Sequence, residues 1–370
     1  MHDQFSRRSF ARLIGAGVAA SALPPMALIA TGATQRDGGQ LRLHFNENPN
    51  GPSPSARKAL LQLADVAWQY PGDARDRLVS ALATLHGVKE ESILLGNGSS
   101  EILHSAGSTL TSPSKGVLVA DPTYEALEQY ATAAGAPVSK IPLTDSWAHD
   151  IARMTENLRG HAVVYICNPN NPTASTTPKS HVRALIAAAP PDVVVISDEA
   201  YAEYVTADDY ESVVPLIEKH PNLLVLRTFS KIYGLAGLRI GYAIAQPQLL
   251  KRLHARQARN TLNAAGLSAA LASLESPGYV EESRARNAKS RDHALAQLQS
   301  LGFRTIPSHA NFFMVDLGRD IAPVSQTMRS RGVSVGRPFP PLTHYLRVTV
   351  GTEAQMETFL SLFEEVIAGS

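Results

Sequence analysis

The chain reads as an α/β protein, with a large domain built on a mostly parallel sheet flanked by helices and a smaller α+β C-terminal domain. Three observations predict this. Apolar runs bounded by turn residues recur at Gly116 to Ala120, Pro137 to Ile141, Ala162 to Cys167, Val193 to Ser197 and Leu223 to Leu226. Segments of helical spacing lie between most of them, as at Tyr124 to Ala134 and Lys179 to Ala189, and such alternation gives a parallel sheet covered on both faces. From Gln248 the pattern turns more helical, with a long charged segment at Tyr279 to Leu301. It then mixes strands at Phe312 to Asp316, Val333 to Val335 and Tyr345 to Val350 with helices around Ala322 to Arg331 and Glu353 to Ile367.

A length of 370 residues exceeds the usual single-domain size and allows an ample core. Hydrophobic residues make up 44% and the net charge is +1, so neither a nucleic-acid nor a membrane-surface partner is expected, since either would need a basic surplus. A small molecule is the expected partner. The single cysteine, Cys167, excludes a disulfide framework or a Cys-based zinc site within the chain.

Taken in order, the first thirty or so residues stand apart. Ser6-Arg7-Arg8-Ser9-Phe10 precedes an Ala/Gly-rich apolar run from Leu13 to Ala30, broken by Pro24-Pro25. This resembles a twin-arginine signal peptide, which exports folded proteins; a buried helix is the other reading, and the Gly and Pro interruptions argue against a membrane span. Residues 1–33 are therefore expected to direct export through the twin-arginine machinery, to the periplasm or beyond, with a cytoplasmic location as the alternative. Residues 34–70 then form an N-terminal arm and helix, 71–260 the large domain and 261–370 the small one.

Leu41 to Pro54 is a short extended piece followed by turn residues, and Ser55 to Trp68 has helical spacing. Tyr70-Pro71-Gly72 breaks the chain before a helix over Ala74 to Leu85. Ser92 to Leu95 reads as a strand running into Gly96-Asn97-Gly98-Ser99-Ser100-Glu101 and an apolar helix. A strand, a Gly/Ser turn and a helix start offer free amides and two hydroxyls, the means by which a phosphate is held, although many such turns hold nothing.

The other candidates fall at strand ends, where ligands of open α/β sheets collect. They are Tyr124 after Asp121-Pro122, Asn171 in Asn168-Pro169-Asn170-Asn171-Pro172, Asp198 and Tyr201 in Asp198-Glu199-Ala200-Tyr201, and Ser230 with Lys231. The stretch Asn222 to Tyr242 delivers a buried strand, the Ser-Lys pair, a Gly-rich turn and Arg239. A lysine behind a hydrophobic strand is held partly desolvated, which favours the neutral amine that forms a Schiff base with a carbonyl compound. From this stretch alone, a solvated loop lysine is the alternative.

Asn-Asn-Pro-Thr at 170–173, Asp-Glu-Ala-Tyr at 198–201, Ser-Lys-x7-Arg at 230–239 and Leu-Arg-Val-Thr-Val-Gly at 346–351 occur together and in order. From Leu41 to the C-terminus the chain resembles the fold-type I pyridoxal-phosphate-dependent aminotransferases of class I/II, and within them the histidinol-phosphate aminotransferase branch. The resemblance implies a seven-stranded-type sheet, pyridoxal 5'-phosphate, and ping-pong transfer of an amino group between an L-amino acid (histidinol-phosphate-like, aromatic or basic) and a 2-oxo acid. It gives Lys231 two tasks, holding the cofactor and moving the substrate's proton. Asp198 stands where the family keeps a carboxylate that raises the ring nitrogen's pKa, and is otherwise a helix cap. Asn171 and Tyr201 resemble the pair on the phenolic oxygen, and Tyr124 the aromatic stacked on the ring; otherwise they are turn and core residues. Ser99, Ser100, Ser230 and Arg239 would hold the phosphate, Arg239 through its fork. Tyr70 matches a tyrosine that reaches the partner subunit's cofactor phosphate, which implies a homodimer. Arg347 resembles the clamp on the substrate α-carboxylate, a structural salt bridge being the alternative.

Family members that use histidinol phosphate carry extra basic groups, including an arginine shortly after the strand at Val333 to Val335. Here Gly336-Arg337-Pro338-Phe339-Pro340-Pro341 sets Arg337 one position off. That offset and the expected export favour another amino donor, aromatic or basic. Asn-Pro-Thr-Ala replaces the usual Asn-Pro-Thr-Gly, implying a changed turn at Ala174. A decarboxylase or racemase, or a non-catalytic pyridoxal-phosphate-binding protein, are the competing functions, and retention of the cofactor-handling residues argues against the last.

Overall fold

The computed structural model describes residues 39–369, so the signal-peptide expectation for residues 1–33 lies outside the described residues. Strands are β1 (Leu41–Leu43), β2 (Ile93–Gly96), β3 (Gly116–Asp121), β4 (Val138–Pro142), β5 (His161–Cys167), β6 (Val194–Asp198), β7 (Leu223–Thr228), β8 (Gly241–Ala245), β9 (Arg304–Thr305), β10 (Phe312–Asp316), β11 (Val333–Val335) and β12 (Tyr345–Thr349). Helices are α1 (Pro54–Leu63), α2 (Ala74–His86), α3 (Ser99–Leu110), α4 (Ala126–Ala133), α5 (Ile151–Glu156), α6 (Lys179–Ala188), α7 (Pro247–His254), α8 (Ala264–Leu274), α9 (Tyr279–Ser300), α10 (Ala322–Ser330) and α11 (Glu353–Ala368).

The near-continuous apolar strands are explained by burial on both faces. Successive residues of a strand point to opposite sides. Val163, Tyr165 and Cys167 of β5 join one hydrophobic cluster with α3, α4 and α7, while Val164 and Ile166 join the other with α2, α6 and α8. The sheet runs β2-β8-β7-β6-β5-β3-β4, and the pairings from β7 through β4 are all parallel. Strand β8 lies antiparallel to both β7 and β2, which makes the sheet mixed. The sequence does not announce β8, because GYAIA is short, rich in small residues and follows directly on a turn. Helix α5 and the two-residue β9 are likewise additions, and the helix expected over Ser55 to Trp68 ends at Leu63, passing into a 3-10 turn at Ala64–Val66.

The C-terminal part holds an antiparallel sheet β12-β10-β9 and a parallel pair in which β1 lies on β11. Its core is formed by Phe313, Val315, Leu346, Val348, Phe359 and Phe363, with Leu41 and Leu43 supplied by the N-terminal strand. The arm thus crosses from this sheet to the ends of the large-sheet strands. Among the described residues no helix is long and apolar enough to cross a membrane.

The loop after β6 is fastened from below. Buried Arg227 of β7 donates from Nη2 to Glu199 Oε2 at 2.7 Å and from Nη1 to Glu203 Oε1 at 2.8 Å. Ser212 Oγ and the Val213 amide also donate to the Glu199 carboxylate, at 2.7 and 2.8 Å. A buried charge is stable only when paired and hydrogen-bonded in this way, and the pairing fixes the backbone between Asp198 and Tyr201.

Candidate active site

The C-terminal ends of β2, β3, β5, β6 and β7 open on one cavity of about 800 Å³. Ser99, Ser100, Tyr124, Asn171, Asp198, Tyr201, Ser230, Lys231, Arg239, Arg337 and Arg347 all line it. Tyr70 does not, and its side chain is 88% exposed. Ser99, Ser100, Tyr124, Asn171, Asp198 and Lys231 therefore meet because the large-sheet strands bring their C-terminal ends to one edge, whereas Arg337 and Arg347 reach the same cavity from the C-terminal part, after β11 and within β12.

One wall is the first turn of α3, whose leading amides have no intrahelical acceptor and carry the positive end of the helix dipole. Gly98 enters this turn at φ 75, and a Cβ there would lie 2.3 Å from Arg239 Nη2. Its lack of a side chain therefore keeps the guanidinium against the turn. Arg239 Nη1 donates to Ser230 Oγ at 3.3 Å and to Ala236 O at 2.9 Å. Two serine hydroxyls, a third from Ser230, helix amides and a guanidinium form a cup suited to a phosphate dianion.

Asp198 stands at the floor, 2% exposed. It accepts from the Tyr165 hydroxyl at 2.8 Å and from the Ala200 amide at 3.1 Å. Burial raises its pKa to about 6, and those two hydrogen bonds work against the rise. Such a carboxylate is ionised at neutral pH and poorly solvated, which suits it to a protonated heterocyclic nitrogen. Tyr165, half-way along β5, is the residue that orients it and was not singled out from sequence; its position inside a continuous apolar run gives no hint of a polar contact.

Lys231 Nζ donates to the carbonyls of Phe45 and Asn46, both at 3.2 Å, and lies 5.4 Å from the centre of the Tyr201 ring. Burial lowers its pKa to about 8, and the Arg347 charge contributes in the same direction. An appreciable fraction of the amine is therefore neutral near physiological pH, as nucleophilic and base chemistry requires. The solvated-loop alternative does not hold.

Arg347, 7% exposed on β12, donates to Asn171 Oδ1 at 2.6 Å and to the His44 carbonyl at 2.7 Å. Burial lowers its pKa to about 10. Among the described residues its Nε is buried without a partner and no carboxylate pairs with the guanidinium, so in place of a structural salt bridge a cation lines the cavity. Phe339 lies between two arginines, with the Arg347 and Arg337 guanidinium carbons each 4.4 Å from its ring centre. Arg337 also pairs with Glu125 at 2.5 Å, and the side chains of both are substantially exposed. The one-position offset seen in the sequence thus leaves Arg337 on the cavity wall.

Asn171 and Tyr201 do not bond each other: Asn171 serves Arg347, and the Tyr201 hydroxyl accepts from Asn46 Nδ2 at 3.1 Å. The Tyr124 phenol meets the Ser100 hydroxyl, and burial raises its pKa. Ala174 closes the Asn-Pro-Thr-Ala turn in the left-handed region at φ 61, with its amide on Asn170 O at 2.8 Å, the conformation a glycine takes with less strain.

Residues 39–363 match the family described as Aminotransferase class I and II. A histidinol-phosphate aminotransferase of Moorella thermoacetica is 39% identical over 332 residues, spanning 89% of this chain and 86% of that protein. One of Bacillus velezensis is 35% identical over 333 residues, spanning 88% and 91%. Among solved structures, the histidinol-phosphate aminotransferase of Sinorhizobium meliloti in complex with pyridoxal-5'-phosphate matches with a TM-score of 0.83 at 29% identity, over 89% of this chain and 91% of that one.

Proposed function

The chain belongs to the class I and II aminotransferases, and from that premise we propose that its amino donor resembles histidinol phosphate and that its cavity residues share the work as follows. It is a pyridoxal-phosphate transaminase of the histidinol-phosphate aminotransferase type. The observation that carries the reading is the convergence of the Lys231 amine, the Asp198 carboxylate and the α3 phosphate cup on one cavity.

The donor set fits pyridoxal phosphate. The cup of Ser99, Ser100, Ser230 and Arg239 would take the phosphate, and Asp198 the ring nitrogen. Tyr124 would stack on the ring, and Asn171 with Tyr201 would serve the phenolic oxygen. Lys231 would hold the aldehyde carbon. When bound, this group supplies an electron sink for the substrate α-carbon. Arg347 fixes the substrate's anionic end through its planar fork, which orients the α-carbon. The Lys231 amine, its protonation balance set by the burial described above, would serve as the base for the substrate α-carbon proton. Asn171 and the His44 carbonyl hold the Arg347 guanidinium in place before substrate arrives.

Support for a phosphate-bearing donor comes from the lining of the cavity, where Arg42, Arg329 and Arg337 join Arg347. Of the donors expected from the sequence, this favours the histidinol-phosphate-like one over an aromatic or basic amino acid. With one 2-oxo acid acceptor, kcat/KM for histidinol phosphate is expected to exceed that for histidine, phenylalanine and arginine. Arg337→Ala is expected to lower the histidinol phosphate value by about 10–100-fold while leaving the free amino acids within a few-fold. Equal rates for histidine and histidinol phosphate would contradict the proposal, and carbon dioxide release or racemised donor without keto product would favour the decarboxylase or racemase reading.

Two further features belong to this proposal. Leu61, Trp68 and Tyr70 expose 76%, 82% and 88% of their surface along the arm, and a homodimer that covers them would bring Tyr70 to the partner's phosphate cup; a monomer by sedimentation would contradict it. The Ser-Arg-Arg-Ser-Phe start supports twin-arginine export, which fusion of residues 1–33 to a reporter tests directly.

A further inference from the structure

Asn46 is used by none of the roles above, yet it sits at their centre. It is 2% exposed and adopts φ 56, the left-handed conformation that Asn tolerates better than other non-glycine residues. That turn makes two consecutive carbonyls, of Phe45 and Asn46, converge on Lys231 Nζ. Asn311 Nδ2 donates to the same Asn46 carbonyl at 2.9 Å, which holds the turn from behind. Strain of this kind persists only where the surroundings over-determine it.

The side chain is as tightly specified. Thr349 Oγ1 accepts from the Asn46 amide nitrogen of the backbone at 2.9 Å and donates to Asn46 Oδ1 at 3.2 Å. With its oxygen so engaged, the Asn46 side chain turns its NH₂ to the Tyr201 oxygen at 3.1 Å. A phenol oxygen that accepts from one side keeps its own proton for the other, and Tyr201 faces the cavity. We infer that Asn46 is a positioning residue for transamination, fixing Tyr201 as a hydrogen-bond donor into the cavity and parking the Lys231 amine on its backbone. The inference rests on the reading that this cavity holds pyridoxal phosphate, whose phenolic oxygen is the acceptor Tyr201 would serve.

The test is the pH titration of the bound chromophore in the holoenzyme, read by absorbance, for wild type, Asn46→Asp, Tyr201→Phe and the double variant. Asp fits the left-handed turn and still accepts from Thr349, but its second oxygen accepts the Tyr201 proton and turns it away from the cavity. The chromophore's apparent pKa is expected to rise by about 1–2 units in each single variant, and the double variant to match Tyr201→Phe closely. An unshifted Asn46→Asp overturns the inference. So does a shift that persists in full on the Tyr201→Phe background, because a new carboxylate acting by charge alone would give that. Should Asn46→Asp fail to fold, Asn46→Gly keeps the turn and removes the amide; a smaller rise with an unchanged melting temperature is expected, and no rise overturns the inference. Wild-type protein that takes up no pyridoxal phosphate would instead overturn the functional reading on which this rests, an outcome visible before any variant is titrated.

Discussion

Lys231→Ala is expected to retain pyridoxal phosphate weakly, without covalent attachment, and to lose transamination by about 10²–10⁴-fold or more, since one group both holds the cofactor and moves the proton. Absorbance of the purified variant and a single-turnover assay check the two losses separately. The wild-type amine adds a pH signature. Burial brings its pKa down to about 8, so the neutral fraction grows as pH rises. The rate at which cofactor-free enzyme captures pyridoxal phosphate should therefore climb from pH 6.5 and level off above about 8. A solvated lysine would keep climbing toward its ordinary value of about 10.4. The same lysine in a flexible loop would also lack the two carbonyl acceptors that hold it at 3.2 Å.

Arg227→Met is expected to be the most destabilising single change among the residues discussed, by about 3–5 kcal/mol, because it strands the Glu199 and Glu203 carboxylates in the interior. Denaturant unfolding measures the loss. The loop from Asp198 to Tyr201 rests on this pairing, so the cofactor should also dissociate more readily. Arg227→Lys restores charge but not the fork that reaches both carboxylates, and should recover only part of the stability. Unchanged unfolding of Arg227→Met would show that the network contributes little.

The parallel sheet and its ligand edge were legible because they depend on local signals. Runs such as Ala162 to Cys167 and Leu223 to Leu226 are apolar over their whole length, which only burial on two faces explains. Tyr124, Asp198 and Lys231 follow those runs at once, so the topology carries them to one place. What stayed hidden depends on distance. Asn46 meets Tyr201 across 155 residues, Lys231 across 185 and Thr349 across 303, and its sequence neighbourhood reads only as turn residues. Tyr165 and Arg227 are polar groups inside apolar strands, whose partners become visible only when neighbouring strands are in register. The offset at Arg337 misled for a related reason: counting positions after Val335 says nothing about the turn through Pro338 and Phe339 that places the guanidinium on the cavity wall.

The central claim is that Lys231 is the residue that holds pyridoxal phosphate. Wild-type protein incubated with the cofactor, reduced with borohydride and digested for mass spectrometry tests it most directly. A phosphopyridoxyl adduct on the peptide containing Lys231, and on no other lysine at one equivalent of cofactor, is the predicted result. Absence of any adduct, or its appearance on another lysine with Lys231 unmodified, would contradict it.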